Sequence, residues 1–168
     1  MKKLFAIAIA ASMLGGLYGL SFGLGGQYVI GHPGTMEDST FSYPAIVADV
    51  MCKPFPILGL RIGLVQFNLI PDDEGGSNYA FGFGTAATAL IYIPMAGAIS
   101  PYIPLHFLYT GNGGSKFQLD GGIGAEMGFG GFAGYLEGGI NFLNLSPEVG
   151  DSDSDNWFYV QGGVRIPI

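Results

Sequence analysis

The sequence predicts an all-β protein: an eight-stranded antiparallel up-and-down transmembrane β-barrel. Three observations lead there. Beyond the N-terminus no stretch keeps a helical period; segments of about 11–15 residues instead alternate apolar with small or polar positions. Those segments exceed the roughly 5–6 residues of an ordinary strand and reach the roughly 9–11 that a tilted strand needs to cross a bilayer. The connections between them alternate between short and long, as the turns and loops of membrane barrels do.

The chain has 168 residues, enough for one domain. Residues 1–20 read as a secretory signal: Lys2 and Lys3, an apolar run from Leu4 to Leu14, then small residues. The run falls short of the roughly 20 apolar residues of a transmembrane helix, which disfavours its other reading as a membrane anchor. Cleavage is expected after Gly19 or Ser21, leaving 21–168 as the barrel domain. No Cys follows the apolar run, which argues against a lipoprotein.

Strands are expected at 21–32, 43–53, 57–69, 78–93, 99–110, 116–129, 132–143 and 157–168. In the third, Leu58, Leu60, Ile62 and Leu64 share a face, whereas Val65, Phe67 and Leu69 take the other parity. A β-bulge near Leu64–Val65 restores the register. The fourth strand presents Tyr79, Phe81, Phe83, Thr85, Ala87, Ala89, Ile91 and Ile93 on one face. The sixth presents Phe117, Leu119, Gly121, Ile123, Ala125, Met127 and Phe129. The seventh gives Leu136, Gly138, Ile140 and Phe142, and the eighth gives Phe158, Val160, Gly162, Val164, Ile166 and Ile168.

The opposite face holds Asp49, Arg61, Asp120, Glu126, Glu137 and Arg165, with Gly122, Gly124, Gly128, Gly139 and Gly163. Alternation alone also fits a soluble barrel with its apolar face inward. Two features favour the apolar face outside. The glycine-rich polar face suits a crowded lumen, and aromatics near the strand ends suit interfacial girdles.

The short connections are Lys53–Pro56, Pro94–Ala98 and Gly130–Gly131. The long ones are about 33–42, 70–77, 111–115 and 144–156. Nine of the thirteen acidic residues fall in the long set: Glu37, Asp38, Asp72, Asp73, Glu74, Glu148, Asp151, Asp153 and Asp155. The two ends therefore differ in charge, as suits a protein between two environments.

Residues Gln161 to Ile168 resemble the C-terminal signal of bacterial outer-membrane barrels. Gln161, Gly163, Ile166 and Ile168 fill its polar, glycine and two apolar slots. The terminal Ile168 and Pro167 depart from the commoner aromatic ending. The mature chain as a whole is similar to the small eight-stranded outer-membrane barrels of the OmpA/OmpX type. That resemblance implies a bacterial outer-membrane location, contact with outer-membrane lipid and lipopolysaccharide, engagement of the barrel-assembly machinery through the last strand, and a monomer.

Removing Lys2 and Lys3 leaves four Lys/Arg against thirteen Asp/Glu, a net charge of −9. Such a chain has no electrostatic footprint for nucleic acid. Cys52, the single cysteine, allows neither an internal disulfide nor a zinc cluster, and reads as lipid-facing packing. Two pairings are expected within hairpins. A turn centred near Phe55 sets Asp49 opposite Arg61, and one between Gly131 and Phe132 sets Glu126 opposite Glu137. Opposed carboxylates need a proton or a cation between them, and Arg165 is the natural partner. The expected site is thus a lumenal network of Asp49, Arg61, Glu126, Glu137 and Arg165, joined by Asp120. It would close a lumen that has room only for side chains. A gate or ion path, and glycoside hydrolysis by paired carboxylates, are its alternatives.

His106 shares a face with Tyr102 and Thr110 and His32 sits at a loop edge; no His-x-Ser accompanies either, so both read as polar lining. Asp151 to Asn156 begins like a calcium loop, but Asn156 and Gly162 stand where Gly and Glu are required. It reads as a solvated acidic loop, with loose divalent-cation binding as the alternative. Gly82-Phe-Gly84 and Gly121 to Gly124 open no helix and cradle no phosphate. No enzyme activity, cofactor or metal is expected. The expected role is structural or surface interaction through acidic extracellular loops. The alternatives are a soluble periplasmic lipocalin-like barrel holding a small apolar ligand, and a lipid-modifying outer-membrane enzyme using His106 or Glu137.

Overall fold

A computed structural model describes residues 19–33, 40–71, 77–82, 87–111, 114–147 and 153–168. These form β1 (Ser21–Pro33), β2 (Thr40–Phe55), β3 (Leu58–Pro71), β4 (Ser77–Gly82), β5 (Ala87–Tyr92), β6 (Ile99–Gly111), β7 (Gly114–Gly128), β8 (Ala133–Pro147) and β9 (Asp153–Pro167). No described residue is helical. Both β4 and β5 pair with β3, one beyond the other, so they occupy a single place in the wall. The sheet runs β2-β1-β9-β8-β7-β6-β5-β3 and closes through β2–β3, giving an eight-stranded antiparallel barrel. Closure through β2–β3 pairs the two strands that would otherwise be open edges; β4 is paired on its β3 side.

The strands extend past their expected ends into several expected loops. Leu145 pairs with Asp153 and Asn144 with Ser154, and Pro71 pairs with Ser77. Ladder bonds join main-chain groups, so polar side chains do not stop a hairpin from continuing. The expected fourth strand is described only as β4 and β5; its Phe83 and Thr85 lie outside the described residues. So do residues 1–18 of the expected signal and the acids Glu37, Asp38, Asp72, Asp73, Glu74, Glu148 and Asp151.

The expected bulge is present. Ala48 pairs with Val65 and Asp49 with Gly63, which leaves Leu64 unpaired. Arg61 below the bulge and Gln66 above it therefore both reach the interior. The β7–β8 hairpin closes through a two-residue turn, Gly130-Gly131. Gly130 takes a φ of 79° and the Phe129 N–H donates to the Phe132 carbonyl at 2.7 Å. At the seam, β1 and β9 pair from Ser21–Pro167 to Ile30–Phe158.

Burial separates the two faces as the alternation predicts, with the polar face inside. Asp49, Arg61, Asp120, Glu137, Gln161 and Arg165 are buried. Leu24, Ile46, Leu119, Leu136, Phe142, Phe158 and Ile166 are exposed on the outer wall, and Ile123 is 76% exposed. A water-soluble fold normally buries such apolar side chains and exposes the charges. Here the outer face is apolar, and the interior holds the charges together with two buried clusters, Val29, Tyr43, Leu143 and Trp157, and Met51, Leu90, Tyr92 and Tyr102.

Candidate functional site

The inward polar side chains form a network across the lumen. Arg61 donates from Nη1 and Nη2 to the two carboxylate oxygens of Glu137, both at 2.8 Å, and Tyr102 donates its hydroxyl to Glu137 at 2.9 Å. Three wall positions separate β3 from β8 in either direction, so the Arg61–Glu137 pair spans the diameter. Lys53 of β2 and Glu126 of β7 span it likewise, at 2.7 Å. Lys53 also lies 4.0 Å over the Tyr92 ring, and the Tyr92 hydroxyl donates to Glu126 at 3.3 Å. Arg165 donates to Asp49 at 3.0 Å, approaches Glu126 to 3.5 Å and covers the Tyr135 ring. Three cations thus meet three carboxylates, which is how charges survive burial.

Both expected hairpin pairings shift by two residues. The β2–β3 ladder sets Arg61 beside Met51 and Asp49 beside Gly63, because it centres on Pro56 rather than Phe55. Asp49 takes Arg165 instead. The β7–β8 ladder sets Glu126 beside Tyr135 and Glu137 beside Gly124, because the turn centres on the Gly130–Gly131 bond. The two carboxylates therefore do not oppose one another, and each has its own cation. Arg165 does approach Glu126, as expected. Lys53, assigned to a turn, is the member missed. Its parity with Asp49 and Met51 in β2 was the available signal.

The inward glycines are explained by what lies across them. Arg165, Gly23 and Asp49 are consecutive partners on β9, β1 and β2. A Cβ on Gly23 would stand 2.6 Å from the Asp49 carboxylate. Tyr102, Gly124 and Glu137 repeat the arrangement on β6, β7 and β8, and a Cβ on Gly124 would stand 2.5 Å from the Tyr102 ring. In both cases a donor reaches a carboxylate over a strand with no side chain at that point. Gly128 differs: it faces open space near the short turn, so crowding does not account for it.

Towards the long loops the lining becomes mostly uncharged, with Asp120 the exception among the described buried residues. Gln66 donates to Gln27, Gln27 to Gln161, and Gln161 to the Tyr135 hydroxyl, at 3.1–3.3 Å. Thr88, His106, Asp120, Asn141 and Trp157 are consecutive partners on five neighbouring strands. Thr88 Oγ1 and His106 Nδ1 are 3.2 Å apart, and the Asn141 amide bridges Trp157 Nε1 and the Asp120 carboxylate. Asp120 therefore belongs to this row rather than to the ion-pair network. The 3.8 Å between His106 Nε2 and Asp120 Oδ2 exceeds hydrogen-bonding reach. His106 is lining, as expected. His32 packs on Trp157, Phe41 and Tyr43 at ring distances of 4.5–5.7 Å. Sequence gave no sign of that aromatic group, which strand ends distant in the chain assemble.

Of the C-terminal pattern, Gln161 is buried, Gly163 packs against the β1 backbone, and Ile166 and Ile168 are exposed outward. Cys52 is partly exposed, on the parity opposite to buried Met51. Asp151 and Ser152 of the calcium-like loop lie outside the described residues, and Asp153 continues β9.

No known protein-family model matches the chain, and no curated protein matches it.

Proposed function

We propose that the chain is an exported bacterial outer-membrane β-barrel with a closed lumen and a structural or surface-interaction role, without enzymatic activity. The observation that carries this is the inverted wall, with ion pairs inside and aliphatic or aromatic side chains outside. Exposing that apolar surface to water costs about 25 cal/mol per Å², whereas acyl chains solvate it at no such cost. Strand length agrees. The outward apolar positions of β9 start at Phe158 and continue to Ile168 just past its end, and ten strand residues tilted about 40° rise about 25 Å, the height of a barrel's lipid-facing band.

The lumen supports the closed state. Two ion pairs cross its full diameter, and eight strands leave room for little beyond side chains. A lipocalin-like barrel would need an open apolar cavity, whereas here ion pairs cross the interior between buried apolar clusters. In this proposal Gln161, Gly163, Ile166 and Ile168 serve as the assembly signal, and the acidic long loops face the cell exterior above the lipopolysaccharide.

The test is electrophoretic mobility of the outer-membrane fraction in SDS, with and without boiling. A folded membrane barrel migrates differently until heated. Recovery in the soluble periplasmic fraction with no mobility shift would overturn the proposal.

A further inference from the structure

Among the described residues, the short-turn end of the barrel carries no outward-turned charged side chain. Its tips carry Phe55, Ile57, Met95, Phe129, Phe132 and Ile168, all exposed, with Met95 at 67%. The sequence offers one charged side chain in these turns, Lys53, and it is turned into the lumen to Glu126 rather than outward. At the opposite end the outward positions become polar, with exposed Asn144 following Phe142 and exposed Asn156 preceding Phe158.

We propose that this end is seated in phospholipid, its turn tips lodged at the boundary between acyl chains and headgroups instead of projecting into water. The inference rests on the membrane reading above and adds where the barrel stops. The outward apolar run occupies Phe132 to Phe142 on the β8 side, Pro44 to Pro54 on β2 and Phe158 to Ile168 on the β9 side. Each run covers about ten residues, or about 25 Å of height, which is the whole of a lipid-facing band. The β2 run ends, and the β8 run begins, at a turn. No strand length remains to carry the turns beyond the band.

The turn backbones suit a poorly hydrated place. Pro54, Pro56 and Pro94 have no N–H to satisfy. Some donors beside the turns are used internally: Tyr92 N–H to the Ile57 carbonyl and Ile93 N–H to that of Pro101, both at 2.9 Å; those of Met95–Ala98 face the hydrated headgroup side of the boundary. The Phe129 and Ile168 N–H groups donate to Phe132 and Leu20. Each internally used donor avoids the several kcal/mol that an unpaired group costs away from water.

The experiment places a bimane probe, in a Cys52→Ala background, on Met95→Cys, Ile123→Cys or Thr40→Cys. Each labelled protein is folded into phosphatidylcholine vesicles with or without brominated acyl chains. The expected result is a loss of emission at position 95 comparable to that at 123 on the mid-wall, with little loss at 40. Quenching at 123 but not at 95 would overturn this inference and leave the membrane barrel standing. Quenching at neither would overturn both.

Discussion

Arg61 of β3 and Glu137 of β8 join opposite walls of the barrel through two parallel hydrogen bonds of 2.8 Å, with Glu137 only 2% exposed. The pair acts as a strut across the lumen. Planar guanidinium and carboxylate groups fit in this bidentate geometry, which fixes orientation as well as distance. Tyr102 braces the carboxylate from a third strand.

Breaking the strut on one side strands a charge. Glu137→Leu leaves Arg61 buried without its partner and is expected to cost about 3–5 kcal/mol. Combining it with Arg61→Met should recover most of that loss, because two matched apolar groups replace a desolvated ion pair. Urea unfolding of the singles and the double forms a cycle that measures the coupling. Equal losses in the double and the sum of the singles would show that the pair is not coupled.

Glycine positions separate crowded from open lining. Gly124→Val drives a side chain into the Tyr102 ring and should destabilise by about 1–3 kcal/mol. Gly128→Ala meets nothing within 4 Å and should stay within about 0.5 kcal/mol. Comparison of their unfolding midpoints tests whether the network needs bare backbone at Gly124.

A charge on the outer wall distinguishes lipid from water. Ile123→Arg on the exposed face of β7 should cost about 2–4 kcal/mol for a barrel folded in a bilayer. In a soluble barrel the same substitution is a surface change worth about 0.5 kcal/mol or less. Stability measured in vesicles, together with the yield of the heat-shifted form, reads the difference.

Occlusion is testable electrically. The protein in a planar bilayer is expected to show no steady conductance, because Lys53–Glu126 and Arg61–Glu137 cross the lumen. Replacing all four with Ala removes both struts and should produce small ion-conducting events. A conducting parent protein, or a four-residue variant that folds and stays silent, would remove the network from the role of closing the lumen.

Much of the wall was legible in the chain, and the reasons are local. Period-two alternation assigned Asp49, Arg61, Asp120, Glu126, Glu137 and Arg165 to one face, and all turn inward. The parity break at Leu64–Val65 revealed a bulge because two apolar registers can share a strand only through an extra residue. Pairing across hairpins was less legible. A ladder's centre depends on turn geometry, so Gly130-Gly131 moved Glu137 two residues from its expected partner.

The sequence by itself determined that the protein is all-β, which residues share a face, and roughly where the chain turns between strands. All three follow from period and composition within single strands. Tertiary closure alone decided who meets whom. Arg165 finds Asp49 over Gly23, Lys53 crosses to Glu126, and His32 stacks on Trp157. Those partners belong to different strands, and their approach depends on the curvature of a closed wall and the gaps left by glycine, which no local pattern encodes.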